Sequence, residues 1–350
     1  MKLLLIGGTG TIGSFVTREL VRPDVRVTVL ARGVSRNDLL RGLWVEFVRG
    51  DRGDTTLLRK LSEGSYDCVV DLACYGPDHA ENAISAFGGR VKQYLFVSTV
   101  DVYTKPARVY PITEEMERNP RSTSPYAWKK ARCEEIFLVA HVRGEFTVTI
   151  VRPAHTYGEG VTPLLQVLGG TDHLDRLPKG KPIILHGDGN SLWSSCYAKD
   201  VAEAIANAVL NTNAYGQAYT LASKEVMTWK ELYKVVAEEM HAPSPFLVHV
   251  PVGVLTRAFP KENLWCRENF QYSNLFCVAK AERDLGFRSS IDYRLGVKRC
   301  LSWFRNHGGF GDSGRVRFHF YDRFLAMWEQ MVTSLPIFEE EEDSHVSVGS

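Results

Sequence analysis

Residues 1–16 read MKLLLIGGTGTIGSFV, an apolar run followed by Gly7, Gly10 and Gly13 at a spacing of three. Residues 3–6 are continuously apolar, the pattern of a parallel strand covered on both faces. Gly7 permits a tight strand-to-helix turn, Gly10 lets backbone N–H groups come close to a pyrophosphate, and Gly13 lets the next helix lie against the sheet. The N-terminus of that helix offers unpaired N–H donors and a positive dipole end to an anion. A glycine triplet alone also fits a loop with no ligand. Here a second β-branched run, residues 25–30, follows one helix later and completes a βαβ unit. This predicts an α/β fold with a doubly wound parallel sheet and a right-handed crossover.

The 350 residues suit one large α/β domain carrying a smaller C-terminal lobe. Hydrophobic content of 44% and charged content of 24% are ordinary for a globular protein. The net charge of +1 gives no electrostatic reason to expect nucleic-acid or anionic-membrane partners. The Met1–Lys2 start runs directly into a strand, so no signal peptide is expected. No apolar run has the roughly 18 residues of a membrane helix. Cysteines 68, 74, 133, 196, 266, 277 and 300 are odd in number, with no C-x-x-C pair. They read as reduced, mostly buried thiols in a cytoplasmic protein without a zinc site.

Along the chain, a first helix is expected at about residues 11–21, ending before Pro23. The second strand ends in VTVLARG (27–33), with Ala31 and Arg32 where an NAD-selective site places an acid for the ribose 2′-OH. Arg32, assisted by Arg36, is suited to a 2′-phosphate, which leans the reading toward NADP. WVEFVRGD (44–51) reads as a buried third strand. Asp51 at its end either accepts from an adenine amino group or caps the following helix. YDCVVDLACYG (66–76) supplies strand four, with residues 72–74 passing the cofactor, and 77–87 read as a helix. QYLFVSTVDVY (93–103) is strand five; TVTIVRPAHTYG (147–158) is strand six. Between them Ser124 is the expected N-cap and Pro125 the first residue of a helix. From residue 158 the alternation breaks into Pro- and Gly-rich pieces. SLWSSCYAKDVAEAIANAVLN (191–211) is expected to be helical, and 217–241 to give a strand, a turn and a helix capped by Thr228. Shorter helices follow at 279–287, 295–307 and 322–332, and the acidic tail reads as disordered.

Thr99, Tyr126 and Lys130 make a chemical constellation on this frame. Tyr126 and Lys130 are four apart on one helix face. A free tyrosine, with a pKa of about 10, is a poor base at neutral pH. A lysine ammonium one turn away, with a positive nicotinamide ring, is expected to lower that value. Tyr126 then takes a proton from a substrate hydroxyl as hydride leaves the same carbon, while Thr99 holds the oxygen in line.

GGTGTIG (7–13), VRGD (48–51), FVSTVDVY (96–103), SPYAWKK (124–130) and VRPAHTYG (151–158) stand in the order and spacing of the extended short-chain dehydrogenase/reductases. Within these the chain resembles the NAD-dependent epimerase/dehydratase group, over roughly residues 1–305 with GDGNSLWSSCYAKDVAEAI and AKAERDLGF included. The resemblance implies a Rossmann domain over 1–157 to which later segments return, a substrate lobe over 158–335 and a tail over 336–350. It implies Thr99, Tyr126 and Lys130 as the catalytic set. Contacts to NAD or NADP are implied from Gly7, Gly10, Thr11, Ile12, Gly13, Asp51, Leu72 and the backbone near Pro153, to which the residues themselves add Arg32, Tyr126 and Lys130. The chain departs from the group at Ala31 and at Trp193, which stands where sugar-nucleotide enzymes carry an arginine for the substrate pyrophosphate. Trp193 stacks on rings but does not neutralise phosphate. Asp101 and His155 are further candidate substrate contacts, His155 being equally compatible with a structural histidine. A homodimer is implied by the resemblance alone.

The leading expectation is an epimerase that oxidises and re-reduces a secondary alcohol of a nucleotide sugar or a nucleoside ribose on a retained cofactor. A net NAD(P)H-dependent ketone reductase uses the same residues. A dehydratase ranks behind both, because Asp101 is the one carboxylate near Thr99. A noncatalytic cofactor-binding or RNA-associated scaffold has no need of Thr99, Tyr126 and Lys130 together.

Overall fold

A computed structural model describes residues 1–33, 38–120, 124–309 and 318–336. Arg36 and residues 337–350 of the tail lie outside the described residues.

The first half alternates strand and helix: β1 (Lys2–Ile6), α1 (Thr11–Leu20), β2 (Arg26–Ala31), β3 (Glu46–Arg49), α2 (Thr55–Ser62), β4 (Cys68–Asp71), α3 (Pro77–Phe87), β5 (Gln93–Val97), α4 (Pro125–Val142) and β6 (Thr147–Pro153). After it come β7 (His155–Tyr157), α5 (Asp172–Arg176), β8 (Ile183–His186), β9 (Leu192–Tyr197), α6 (Ala198–Ala208) and β10 (Ala218–Leu221). β11 (Val226–Thr228), α7 (Trp229–Glu239), β12 (Leu247–Val250), α8 (Val252–Ala258), α9 (Ala279–Leu285), α10 (Tyr293–Asn306) and α11 (Phe318–Thr333) follow. The main sheet is parallel with order β10-β6-β5-β4-β1-β2-β3. Strand order reverses between β1 and β4, and ligands of open α/β sheets collect at that point.

Side-chain alternation along the central strands feeds two cores. Leu3 and Leu5 of β1 with Leu95 and Val97 of β5 pack on one face; Leu4 and Ile6 with Tyr94 and Phe96 pack on the other. Both faces are therefore covered, which accounts for the unbroken apolar runs. Helix α1 lies beside α6, whose Ala198, Ala202 and Ala208 are buried and whose small side chains permit the close approach.

Three expectations on local structure need correction. β3 is not buried: Trp44 before it is 93% exposed and Phe47 is 39% exposed, because β3 is the edge of the sheet and has a single strand neighbour. The stretch 147–158 is two strands, with β6 in the main sheet and β7 in a small sheet beside β9. Residues 192–197, read as helix, form β9, whose Trp193 to Tyr197 are buried on all sides; only from Ala198 does the alanine-rich pattern wind into α6. Thr228, by contrast, caps α7 in a full capping box with Glu231.

Candidate active site

The glycine loop crosses the C-terminal end of β1 at the switch point. Gly7 has φ of +83°, a conformation that favours glycine. A Cβ on Gly13 would stand 2.1 Å from the carbonyl oxygen of Gly7, so no side chain fits there. Above this turn runs a groove of about 620 Å³ whose walls include Gly7, Gly10, Thr11, Ile12, Gly13, Arg32, Asp51 and Leu72. A dinucleotide fits this cradle on two further observations. The N-terminus of the ten-residue α1 opens on it with no side-chain cap in the way, and Arg52 Nη1 is a buried donor without a partner in the groove wall. The rest of the Arg52 guanidinium is held by Asp71, at 2.8 Å and 3.2 Å, and Tyr94 also donates to Asp71 at 2.6 Å. Asp51 accepts from the Gly53 amide at 2.7 Å and does not cap α2; that is the work of Asp54, which accepts from the Leu57 amide at 3.0 Å.

A second, inner cavity of about 360 Å³ adjoins the groove, and Thr11 and Ile12 line both. Its walls take Thr99, Asp101, Tyr126, Pro153, His155 and Trp193 from the expected set. Thr99 ends the strand-five segment, donating to Asp101 Oδ2 at 3.1 Å and accepting from the Asp101 amide at 3.2 Å. Tyr126 lies in the first turn of α4, where Pro125 opens the helix; Ser124 occupies the N-cap position but makes no side-chain capping bond.

The phenol of Tyr126 stands in the cavity wall, in a setting whose influences the chain itself sets. Burial, then the Asp101 carboxylate, then Tyr75, push it above the ordinary tyrosine range, and a hydrogen bond from Thr99 offsets part of this. Lys130 is absent from these influences. It is buried, its Nζ donates to the Val97 carbonyl at 2.7 Å, and it stands over the rings of Phe96 and Tyr75 behind the cavity walls. Burial lowers its pKa from the usual lysine value.

His155 on β7 sits 3.0 Å from Ser195 Oγ, and burial pulls it down to about 4, so the ring is neutral at neutral pH. Trp193 on β9 is 5% exposed and packs edge-on against Phe270 at 5.3 Å and at a tilt against Trp229 at 4.9 Å.

Several residues of this site escaped the sequence. A π-helical turn over Cys266–Phe270 carries Asn269 and Phe270 into the inner cavity, and Trp265 just before it approaches the Tyr126 ring at 5.7 Å. Such turns recur at functional sites, but no local pattern announces one. Lys105, in the loop after strand five, donates to Asn269 Oδ1, to Asn274 Oδ1 at 2.5 Å, and lies 3.6 Å from Asp101 Oδ1. Asn269 in turn donates to Asp101 at 2.7 Å. Burial lowers Lys105 to about 8.

Among the described residues no helix is long and apolar enough to cross a membrane. The model of the NAD dependent epimerase/dehydratase family matches residues 3–87 and 82–222. The chain is 30% identical over 244 residues to 2'-dehydrokanamycin reductase of Streptomyces kanamyceticus, covering 69% of this chain and 68% of that one. It is 26% identical over 315 residues to the chloroplast stem-loop binding protein of 41 kDa b of Arabidopsis thaliana, covering 85% and 77%. It is also 24% identical over 323 residues to a putative UDP-glucose 4-epimerase of Methanocaldococcus jannaschii, covering 87% and 99%. Among solved structures, UDP-glucose 4-epimerase of Thermotoga maritima shares the fold with a TM-score of 0.72 at 20% identity, covering 88% of this chain and 99% of that one. The chain belongs to the NAD dependent epimerase/dehydratase family and is an NAD(P)-dependent enzyme of the extended short-chain dehydrogenase/reductase type.

Proposed function

We propose that the protein interconverts a secondary alcohol and a ketone on a hydroxylated ring, acting as a net ketone reductase as one of its relatives is named. The carrying observation is that Tyr126 and Thr99 line the inner cavity, which shares Thr11 and Ile12 with the dinucleotide groove. The bound nicotinamide supplies the hydride. Tyr126, kept protonated by burial and by Asp101, gives its proton to the carbonyl oxygen as charge develops there. Thr99, tied to Asp101, positions that oxygen. Lys130 anchors α4 to the end of β5 through the Val97 carbonyl and acts as a positioning residue. The reductase named among the relatives supports this direction.

Epimerisation on a retained cofactor is the second reading, favoured by the epimerase relative that the chain matches over nearly its whole length. Asp101 is less suited to a dehydratase's free base, because Asn269 and Thr99 hold both of its oxygens. The two redox readings separate in one assay. Net reduction needs added NAD(P)H and consumes it stoichiometrically, whereas an epimerase turns over on the cofactor it carries from purification. Turnover with none added overturns the reductase version. A homodimer belongs to this proposal as the family's expectation, checked by light scattering.

A further inference from the structure

From the walls of the inner cavity we infer that the part of the substrate seated there carries no phosphate, so that this enzyme refuses nucleoside-diphosphate sugars; the inference rests on the redox reading of the same site.

Three observations carry it. Among the described residues the cavity lining contains no lysine or arginine, and its one charged side chain is the carboxylate of Asp101. Next, the ammonium outside the lining is already engaged: Lys105 donates to Asn269 and Asn274, and the Asp101 carboxylate 3.6 Å away offsets its charge. Among the described residues the lining therefore offers no cation to pair a pyrophosphate, and an anion held there without one loses hydration it does not regain. Finally, Trp193, Trp265, Phe270 and Phe276 put four aromatic side chains in the lining. Aromatic faces take the C–H side of a hydroxylated ring, and Thr99, Tyr126 and the neutral His155 supply polar atoms for its hydroxyl groups.

The test is a titration of the NADPH-saturated protein with UDP, UDP-glucose and dTDP-glucose, read by tryptophan fluorescence and by calorimetry. The expected result is no saturable binding up to about 1 mM, and a gain of about tenfold or more in UDP-glucose affinity in Trp193→Arg. Saturation of the wild type by UDP-glucose at micromolar concentration overturns the inference. If Trp193→Arg fails to fold, the wild-type titration decides alone. The preceding saturation with cofactor, NADH being used where NADPH does not bind, separates the two claims: failure to bind either strikes the redox reading, whereas cofactor binding together with tight UDP-glucose binding strikes only this one.

Discussion

Glu134 of α4 receives both arms of the Arg152 guanidinium of β6, at 3.0 Å and 2.8 Å, with both side chains buried. Ser98 donates to the same carboxylate at 2.6 Å, and Arg152 reaches on to Tyr103 at 2.9 Å. This knot fixes the helix carrying Tyr126 against the strand end carrying Thr99. Removing one partner leaves a buried charge uncompensated. Glu134→Ala is therefore expected to cost about 3–5 kcal/mol in urea unfolding. A loss below about 0.5 kcal/mol, the level of an unremarkable surface change, is incompatible with the knot.

At the glycine loop, Gly13→Ala places a methyl group where the Gly7 carbonyl oxygen stands 2.1 Å away, and backbone has to move. The expected outcome is a folded protein that binds NADPH at least about tenfold more weakly, because the loop amides no longer converge on the pyrophosphate. Fluorescence titration of NADPH measures this. Unchanged affinity means that the dinucleotide does not sit on this loop.

How much of this site could be read in advance follows from how local each part is. The Gly7–Gly13 turn and the Tyr126–Lys130 helix face are written within seven residues each, and the chain alone locates them. Trp44 and Phe47 misled, since an apolar pair does not reveal that its strand is the edge of the sheet. Trp193 sits in a strand that borders an alanine-rich helix, and composition merged the two. Lys105, Asn269 and Asn274 meet only through tertiary structure, across more than a hundred residues, and nothing in their own neighbourhoods marks them.

Lys105 provides a pH signature. Its folded pKa of about 8 lies below the unfolded lysine value of 10.5, so between these the unfolded chain binds more protons than the folded one. The contribution of Lys105 to stability therefore rises with pH across that window, by about 1.4 kcal/mol per unit at most. The stability of the wild type relative to Lys105→Met is expected to improve from pH 8 to 10 in denaturant titrations. A flat or falling difference is evidence against a buried ammonium at this place.

His173 and His186 give the acid limb. Both are buried, and burial pulls them down to about 3 and about 4. The unfolded chain takes up protons at these rings from about pH 6.5 downward while the folded chain does not. Stability is thus full above about pH 6.5 and falls as the pH drops toward 4. In His186→Gln the slope of unfolding free energy against pH is expected to shrink by about one proton over this range. An unaltered slope contradicts a neutral buried His186.

Whether the Tyr126 phenol acts beside a dinucleotide is tested most directly by pairing NADPH binding with ketone reduction in the wild type and in Tyr126→Phe. The phenylalanine ring keeps the cavity wall and removes only the oxygen. The prediction is NADPH affinity within about twofold of wild type and reduction slowed by about 10²–10⁴-fold. Reduction by Tyr126→Phe at the wild-type rate contradicts it, and so does the absence of saturable NADPH or NADH binding by the wild type.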